Sequence, residues 1–264
     1  MDIPFFQVDA FADAVFKGNP AGVCILESWL DDSVLQSIAA ENNLSETAFL
    51  VPEGTGYRLR WFTPTTEVPL CGHATLASAY VVFEHFRPEA ERVRFDTRRS
   101  GLLTITRGVE GLTMDLPAHT MTTQPKIDGL EEALGAPFGA LNAVSDGMVL
   151  VPLANAAAVR DLKPDIARLK AFDKHAFIVT AAGDGMGVDF VSRVFAPSVG
   201  IAEDPVTGAA HCALTPYWVA RLGRTNLSAW QMSVRGGRLG CRLGDDRVYL
   251  TGQVIPYLSG TIHI

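Results

Sequence analysis

The chain has 264 residues, of which 48% are hydrophobic, so it is long and apolar enough to form two ordinary globular cores. Its formal net charge is −7 and it contains no basic run, which excludes nucleic acid and anionic membrane surfaces as expected partners. The longest apolar run, at 74–83, is too short to span a bilayer, and the first residues lack a charged segment with a cleavage site. We therefore expect a cytoplasmic protein without a membrane partner.

The first 116 residues predict a hairpin, two helices and a series of strands. Strands at 4–9 and 23–26, separated by turn residues at 17–22, form the expected hairpin. A helix follows, with Asp31 or Asp32 as its N-terminal cap. The other expected elements are helices at 32–42 and 73–86 and strands at 46–51, 57–62, 92–96, 102–107 and 111–116.

The remainder of the sequence predicts a linker, further strands and one long helix. The segment 117–125 is rich in threonine and proline and has no periodicity, so it is the expected linker. The glycines at 183–187 resemble a dinucleotide-binding loop, but they lie between two predicted strands and are therefore interpreted as a hairpin turn. The other expected elements are a helix at 208–222 and strands at 148–151, 176–180, 188–194, 229–235, 239–243, 248–252 and 261–263.

Two parts of the sequence repeat each other. The residues at 48–51 (AFLV) return at 176–179 (AFIV), and 62–64 (FTP) followed by 71–75 (CGHAT) returns as 195–197 (FAP) followed by 207–211 (TGAAH). The offset grows from 128 to 133 and then to 136 residues, far above a solenoid period of roughly 20–50 residues. The sequence therefore indicates a duplicated half-domain, with two related halves that face each other across a cleft.

Carboxylates and a glycine turn precede the long helix of the second half. In the segment GIAEDPVTGAAH, which ends at His211, Glu203 and Asp204 are close enough to this turn to transfer protons there. The free N–H groups of a helix start bind anions such as a substrate carboxylate. His73 and His211 both follow glycines at helix starts, where a histidine can be catalytic or can only cap or pack the helix. Glu46 can likewise be an exposed residue at the start of a strand.

Neighbouring cysteines and histidines raise the question of a metal site. Neither Cys71 with His73 nor His211 with Cys212 has a usual zinc-ligand spacing, and no third ligand pair is evident, so we expect no metal. The cysteines also lack the spacing of a disulfide framework or a CxxC motif, which is typical of free thiols in a reducing compartment. They are Cys24, Cys71, Cys212 and Cys241.

Five motifs, in this order, resemble the phenazine-biosynthesis isomerase (PhzF-like) family. They are 18–22 (GNPAG), 43–49 (NLSETAF), 60–64 (RWFTP), 71–75 (CGHAT) and 203–208 (EDPVTG). The resemblance covers essentially the whole chain and implies the diaminopimelate-epimerase-like fold. That fold is α/β (α+β), with two pseudo-symmetric halves in which a curved, mainly antiparallel sheet wraps around a central helix, and with the active site between the halves. We expect an N-terminal half at 1–116, to which the last strand at about 256–264 can belong, and a C-terminal half at 117–255.

The resemblance also implies an activity and the residues for it. The founding activity of the family isomerises trans-2,3-dihydro-3-hydroxyanthranilate by moving a proton between carbons without a cofactor. By this resemblance Glu46 is the main proton carrier, assisted by His73 and Asp204, and the protein is a homodimer. The residues that the resemblance assigns to the substrate carboxylate, at two helix starts, are Gly72, His73, Gly208 and Ala209. Family members often have serine where this chain has Ala209. The chain therefore lacks a hydroxyl that could donate a hydrogen bond to the founding substrate.

Two alternatives remain open at this point. Related members of the fold are amino-acid or hydroxyacid epimerases that use two cysteines as acid and base, and Cys71 occupies the first of these positions. The repeat places Asp204 or Thr207 at the second position, where such an enzyme needs a cysteine. A non-catalytic binding or scaffold protein is the alternative from another class, because a fold does not determine a function. Deuterium exchange into a substrate carbon separates the enzymes from a binding protein.

Overall fold

The computed structural model describes residues 1–264 and divides them into two compact units. Unit 1 contains Met1–Asp115 and Thr251–Ile264, and unit 2 contains Leu116–Leu250. No helix combines the length and the apolar composition that crossing a lipid bilayer requires.

The elements are numbered in chain order. The first are β1 (Asp2–Ala10), β2 (Asn19–Ile25), α1 (Asp32–Asn42), β3 (Glu46–Glu53), β4 (Gly56–Phe62), β5 (Glu67–Val68), α2 (Gly72–Val81), a π-helical turn (Val82–Phe86), β6 (Arg92–Thr97), β7 (Gly101–Gly108) and β8 (Gly111–Pro117). They are followed by β9 (Met121–Thr123), α3 (Leu130–Leu134), β10 (Asn142–Val144), β11 (Met148–Pro152), α4 (Ala156–Arg160), α5 (Ile166–Lys170), β12 (Ala176–Ala182), β13 (Phe190–Ala196), β14 (Ile201–Asp204), α6 (Gly208–Leu222), β15 (Asn226–Gln231), β16 (Gly237–Leu243), β17 (Arg247–Gly252) and β18 (Val254–His263).

The strands of unit 1 pair in a mixed, mainly antiparallel pattern. β1 is antiparallel to both β18 and β2, and β2 is parallel to β3. β3 is antiparallel to β4, which is antiparallel to β5 and parallel to β6. β6 is in turn antiparallel to β7. The two parallel steps follow helices α1 and α2, because a parallel neighbour needs a long crossover connection.

Unit 2 repeats this pattern strand by strand. β10 is antiparallel to both β9 and β11, and β11 is parallel to β12. β12 is antiparallel to β13, which is antiparallel to β14 and parallel to β15, and β15 is antiparallel to β16. The structure therefore confirms the duplication that the sequence predicts, with α6 in the place that α2 occupies in unit 1.

In unit 1 the strand β3 contacts both α1 and the central helix α2. In β3 the first five residues are all buried, which is typical of a strand that is covered on both faces. Phe49 packs in a cluster with Leu35 and Ile38 of α1. The central helix α2 exposes no substantial face, since eight of its ten residues are buried. A helix that is apolar all round belongs to a core, and α2 is the core of unit 1.

Helix α6 contains Pro216, which has no N–H to donate to the carbonyl of Cys212. The backbone N–H of His119 donates to that carbonyl oxygen at 3.1 Å. The helix therefore continues to Leu222 with this carbonyl satisfied from outside the helix.

Several predicted elements differ from the observed ones. The predicted linker at 117–125 is wrong as a structureless segment, because it contains β9, which pairs with β10. The strand predicted at 229–235 is β15, which begins and ends earlier, and the strand predicted at 261–263 is only the end of the ten-residue β18. The predicted hairpin of β1 and β2 and the predicted turn between β12 and β13 are confirmed.

The helices differ from the predictions mainly at their ends. The helix predicted to Phe86 is α-helical only to Val81 and continues as a π-helical turn, in which the N–H of Arg87 donates to the carbonyl of Val82 at 2.7 Å. Asp31 is the N-terminal cap residue of α1, which confirms one of the two predicted positions, but its side chain makes no cap hydrogen bond. The carboxylate of Asp32, the first helical residue, binds the guanidinium of Arg60 at 2.9 Å.

Candidate active site

Three chemically reactive side chains of unit 1 meet at the start of α2. Glu46 is the first residue of β3, Cys71 precedes α2, and His73 is the second residue of that helix. Glu46 Oε2 lies 3.1 Å from His73 Nε2, and Cys71 Sγ lies 3.5 Å from His73 Nδ1. The exposed fractions of Glu46, Cys71 and His73 are 8%, 6% and 5%. A strand start and a helix start thus bring together residues that are about 25 positions apart in sequence.

The imidazole of His73 is held on its other side by an amide. Asn19 is fully buried in β2, and its Nδ2 lies 3.2 Å from His73 Nδ1. The hydroxyl of Ser45 donates to Asn19 Oδ1 at 3.2 Å. Both ring nitrogens of His73 therefore have polar neighbours, which fixes the ring beside Glu46. Sequence reasoning placed Asn19 in a family motif but gave it no role.

Burial and charge set the protonation of this cluster. Burial and the nearby Glu46 carboxylate raise the pKa of the Cys71 thiol to about 11, so the thiol is neutral near pH 7. Burial opposes protonation of His73, but its contacts with Cys71 and Glu46 outweigh burial and raise the pKa of His73 well above its ordinary value. The site therefore places the carboxyl group of Glu46 beside an imidazole whose protonated form is favoured, a pair that can accept a proton and return it.

The start of α2 presents backbone groups of a kind that favours an anion. Cys71 has extended backbone and is followed by Gly72 as the first helical residue. The first N–H groups of a helix have no partner within the helix, and the helix dipole favours negative charge there. The hydroxyl and the N–H of Thr75 both donate to the carbonyl of Cys71, at 2.6 and 3.1 Å, which fixes this first turn.

The corresponding place in unit 2 has different side chains. Thr207 precedes α6 as Cys71 precedes α2, and the alignment of the two copies puts Ala209 where unit 1 has His73. The hydroxyl of Thr207 donates to Asp204 Oδ2 at 2.5 Å. At this place unit 2 has the carboxylate of Asp204, and its helix begins with Gly208 as α2 begins with Gly72. It has no thiol where unit 1 has Cys71 and no imidazole where unit 1 has His73.

Gln231 fixes this turn and was missed by sequence reasoning. Its side chain is fully buried, accepts from the N–H of Thr207 at 2.9 Å and donates to the carbonyl of Asp204 at 2.8 Å. The signal in the sequence is a polar residue at an inward position of β15, where Leu227 and Ala229 are the other buried residues on that face.

Glu203 and His211, the other candidates in this segment, have structural partners. The guanidinium of Arg193 donates two hydrogen bonds to Glu203, at 2.7 and 3.0 Å, so this carboxylate belongs to an ion pair. His211 is fully buried, and its Nδ1 lies 2.8 Å from the carbonyl of Thr207, to which it donates. Burial lowers the pKa of His211 to about 4, so the imidazole is neutral near pH 7. His211 therefore packs inside the core against the first turn of the helix, in agreement with the structural interpretation rather than with a cap.

Comparison with solved structures first gives the fold, which is diaminopimelate-epimerase-like. The crystal structure of a hydroxyproline epimerase from Agrobacterium vitis has this fold, with a TM-score of 0.65 at 10% identity, over 99% of this chain and 92% of that one. The chain belongs to the PhzC-PhzF family of phenazine biosynthesis-like proteins, which matches it over residues 8–260.

Nearer relatives support an isomerase. An uncharacterized isomerase of Pseudomonas aeruginosa is 49% identical over the full length of both chains. The crystal structure of a PhzF family protein from Enterococcus faecalis has a TM-score of 0.95 at 45% identity, again over the full length of both chains. The chain is therefore an isomerase of this family.

Proposed function

We propose that this isomerase moves a proton between carbons of a small carboxylate substrate without a cofactor, in the manner of trans-2,3-dihydro-3-hydroxyanthranilate isomerisation. The observation that carries the proposal is the pair of Glu46 and His73, 3.1 Å apart and buried at the start of α2. Removal of a proton from carbon needs a base beside that carbon and positive potential where negative charge develops. Glu46 supplies the base, and His73 with the helix start supplies the potential.

Glu46 acts in both halves of the reaction under this proposal. Its carboxylate takes a proton from one carbon and, after the charge has moved along the substrate, delivers it to a second carbon. Burial keeps bulk water away from the carboxyl group between the two steps, and His73 stabilises the carboxylate before and after transfer. A single carboxylate can therefore serve as base and then as acid.

The other roles in the proposal concern the substrate carboxylate. The substrate-binding residues of the proposal are Gly72 and His73 at the start of α2 and Gly208 and Ala209 at the start of α6, because each helix start offers backbone N–H groups, and Asp204 is the residue that assists the proton transfer. Ala209 has no hydroxyl to add to these groups, which removes a hydrogen bond of about 1 kcal/mol relative to a serine. We expect binding of the founding substrate to be weaker by that amount.

A deuterium experiment with two glutamate variants tests the function. The wild type, Glu46→Gln and Glu53→Gln are incubated in D₂O with trans-2,3-dihydro-3-hydroxyanthranilate and with a panel of small amino and hydroxy acids, and label at carbon is followed by NMR. Glu46→Gln should lose at least about 10²-fold in rate, because it removes the proton carrier. Glu53→Gln is the matched control, since Glu53 ends the same strand at the surface and should keep full activity.

The outcomes separate the candidate functions. Equal activity of Glu46→Gln and the wild type would overturn the role of Glu46. Label at a single stereocentre of an amino or hydroxy acid, with Cys71→Ser inactive, would indicate the epimerase instead. That candidate is favoured only by the 3.5 Å contact of Cys71 with His73, and Thr207 in the matching place lacks a thiol. If no compound acquires deuterium at carbon, the result would favour the alternative of a non-catalytic binding or scaffold protein. The homodimer that the resemblance suggests is part of the proposal and is tested by sedimentation velocity.

A further inference from the structure

We propose that Glu46, Cys71 and His73 form a binding site for one soft divalent cation, with Zn²⁺ as the preferred ion, and that the bound ion inhibits the enzyme. The sequence spacing suggested no metal because it offered no third ligand beside Cys71 and His73. The fold supplies Glu46 as that third ligand. The binding stands independently of the proposed function, whereas the inhibition rests on it.

The distances between the three side chains suit a zinc ion. One ligand atom of each residue lies within 4.8 Å of the others. His73 Nε2 is 3.1 Å from Glu46 Oε2 and 4.0 Å from Cys71 Sγ. Tetrahedral zinc with bonds of about 2.0–2.3 Å separates its ligand atoms by roughly 3.3–3.6 Å. Both separations from His73 Nε2 are therefore within about 0.5 Å of the required value, and Glu46 and Cys71 are no more than 4.8 Å apart, so rotation of these two side chains can complete the geometry.

The chemistry of the ligands selects the ion. A thiolate and an imidazole are soft ligands that favour Zn²⁺ or Co²⁺ over Mg²⁺ and Ca²⁺. Binding of the ion releases the thiol proton of Cys71 and the proton on His73 Nε2 to solvent. The resulting thiolate and the carboxylate together carry two negative charges, so a divalent cation leaves this buried cluster without net charge. A buried charge is costly unless it is compensated, and the ion provides that compensation. Three protein ligands leave the fourth position of a tetrahedral ion for water.

The surroundings of His73 suit a metal ligand as well. A zinc-bound histidine donates its second ring N–H to an oxygen. Nδ2 of the buried Asn19 lies 3.2 Å from His73 Nδ1. Rotation of the Asn19 amide by about 180° exchanges its oxygen and nitrogen and places Oδ1 beside His73 Nδ1. The hydroxyl of Ser45, which now donates to Asn19 Oδ1, can accept a hydrogen bond as well as donate one. The same neighbours can therefore hold the imidazole in either state.

The ion would bind the atoms that the reaction needs. Binding to Glu46 Oε2 and His73 Nε2 separates the two groups that exchange the proton, and it occupies the lone pair with which Glu46 acts as a base. Zinc should therefore inhibit by competing for the proton carrier.

A metal titration of the full-length, reduced protein tests the binding. Co²⁺ is added first, because a cobalt–thiolate bond gives a charge-transfer band in the near ultraviolet, and Zn²⁺ affinity is then measured against a chromogenic chelator. We expect one ion per chain and a cobalt band that zinc removes. Cys71→Ser should abolish the band and weaken zinc binding at least about 10-fold. Glu46→Gln should keep the band and also weaken zinc binding.

Cys212→Ser, which alters another buried cysteine outside the cluster, should bind both ions as the wild type does, and circular dichroism verifies the fold of every variant. Absence of the cobalt band, or unchanged zinc affinity in Cys71→Ser and Glu46→Gln, would overturn the site. Deuterium exchange measured with and without zinc tests the inhibition. Full exchange in the zinc-loaded protein would overturn inhibition alone, and absence of exchange in the metal-free protein would count against the proposed function alone.

Discussion

His211 has its charge state set by burial and by one backbone carbonyl. Nδ1 of His211 donates to the carbonyl of Thr207. Because burial lowers the pKa of His211 to about 4, the imidazole stays neutral in the folded protein above that pH. An unfolded histidine takes up a proton near pH 6.5. Between pH 6.5 and 4 the unfolded state therefore binds one more proton than the folded state at this residue, and the folded state loses stability as the pH falls.

We expect the free energy of unfolding to fall by up to about 3 kcal/mol from this residue between pH 6.5 and 4. The matched variant is His211→Asn, whose amide nitrogen can replace Nδ1 as donor to Thr207 but does not titrate. Urea unfolding of both proteins at several pH values measures the difference. If the difference between the two proteins does not change across this window, His211 is not a buried neutral histidine.

The residues of the site were predictable to different degrees. The family motifs indicated Glu46, His73 and Asp204 as candidates, but their roles stay predictions. No spacing rule could predict that Glu46 approaches His73, because a strand and a helix from separate parts of the chain create that contact. Gln231 was missed because its importance depends on the backbone groups that it binds, which a single sequence does not show.

At the scale of the element, two kinds of helix start offer a direct comparison. Asn155 precedes α4, and its side chain accepts from the N–H of Ala158 at 2.9 Å, whereas Asp31 precedes α1 without a side-chain cap hydrogen bond. Asn155→Ala should therefore lower the free energy of unfolding by about 1 kcal/mol, and Asp31→Ala by less than about 0.5 kcal/mol. Thermal and urea unfolding measure both values. Equal effects would show that the cap hydrogen bond does not stabilise α4.

The elements that sequence reasoning located best are long and apolar. The alternation and composition of β3, β4 and β13 and the apolar run of α6 predicted them within two residues or so. Helices α3, α4 and α5 have five residues each, which is too short for a helical period to show. The threonines of β9 lack a periodic pattern, so the sequence predicts a linker there. Its strand conformation depends on pairing with β10, which a local pattern does not show.

At the scale of the whole molecule, duplication extends to the ion pairs. Arg60 of β4 donates two hydrogen bonds to Glu67 of β5, at 2.8 and 2.9 Å, and Arg193 of β13 binds Glu203 of β14 in the same way. The hydrogen bonds from Arg60 hold the pKa of Glu67 below its ordinary value. Each pair joins corresponding strands next to a central helix, so it supports the segment that leads into that helix.

We expect Arg60→Met and Arg193→Met each to lower the free energy of unfolding by about 2–4 kcal/mol, because each leaves a mostly buried carboxylate without its main partner. The loss should be larger for Arg193→Met, because Arg193 also donates to the carbonyl of Leu162 at 2.6 Å, whereas the additional partner of Arg60, Asp32, is exposed and Glu67 keeps Arg98 at 3.3 Å. Arg160→Met is the control, because its pair with Asp161 is exposed and should contribute less than about 1 kcal/mol. Unfolding by urea tests this order, and an equal loss in all three variants would contradict it.

The repeated pairing of strands also has a consequence for synthesis. β18 completes unit 1 beside β1, just as β9 completes unit 2 beside β10, but β18 follows unit 2 in the chain. During translation β1 therefore cannot pair with β18 until Leu116–Leu250 has been synthesised. At 5–20 residues per second, synthesis of that segment takes roughly 7–27 s. An unpaired strand edge invites contact with other chains in that interval. The nascent protein thus has every strand of unit 2 available before unit 1 can close, and the N-terminal half of this molecule is the last to be finished.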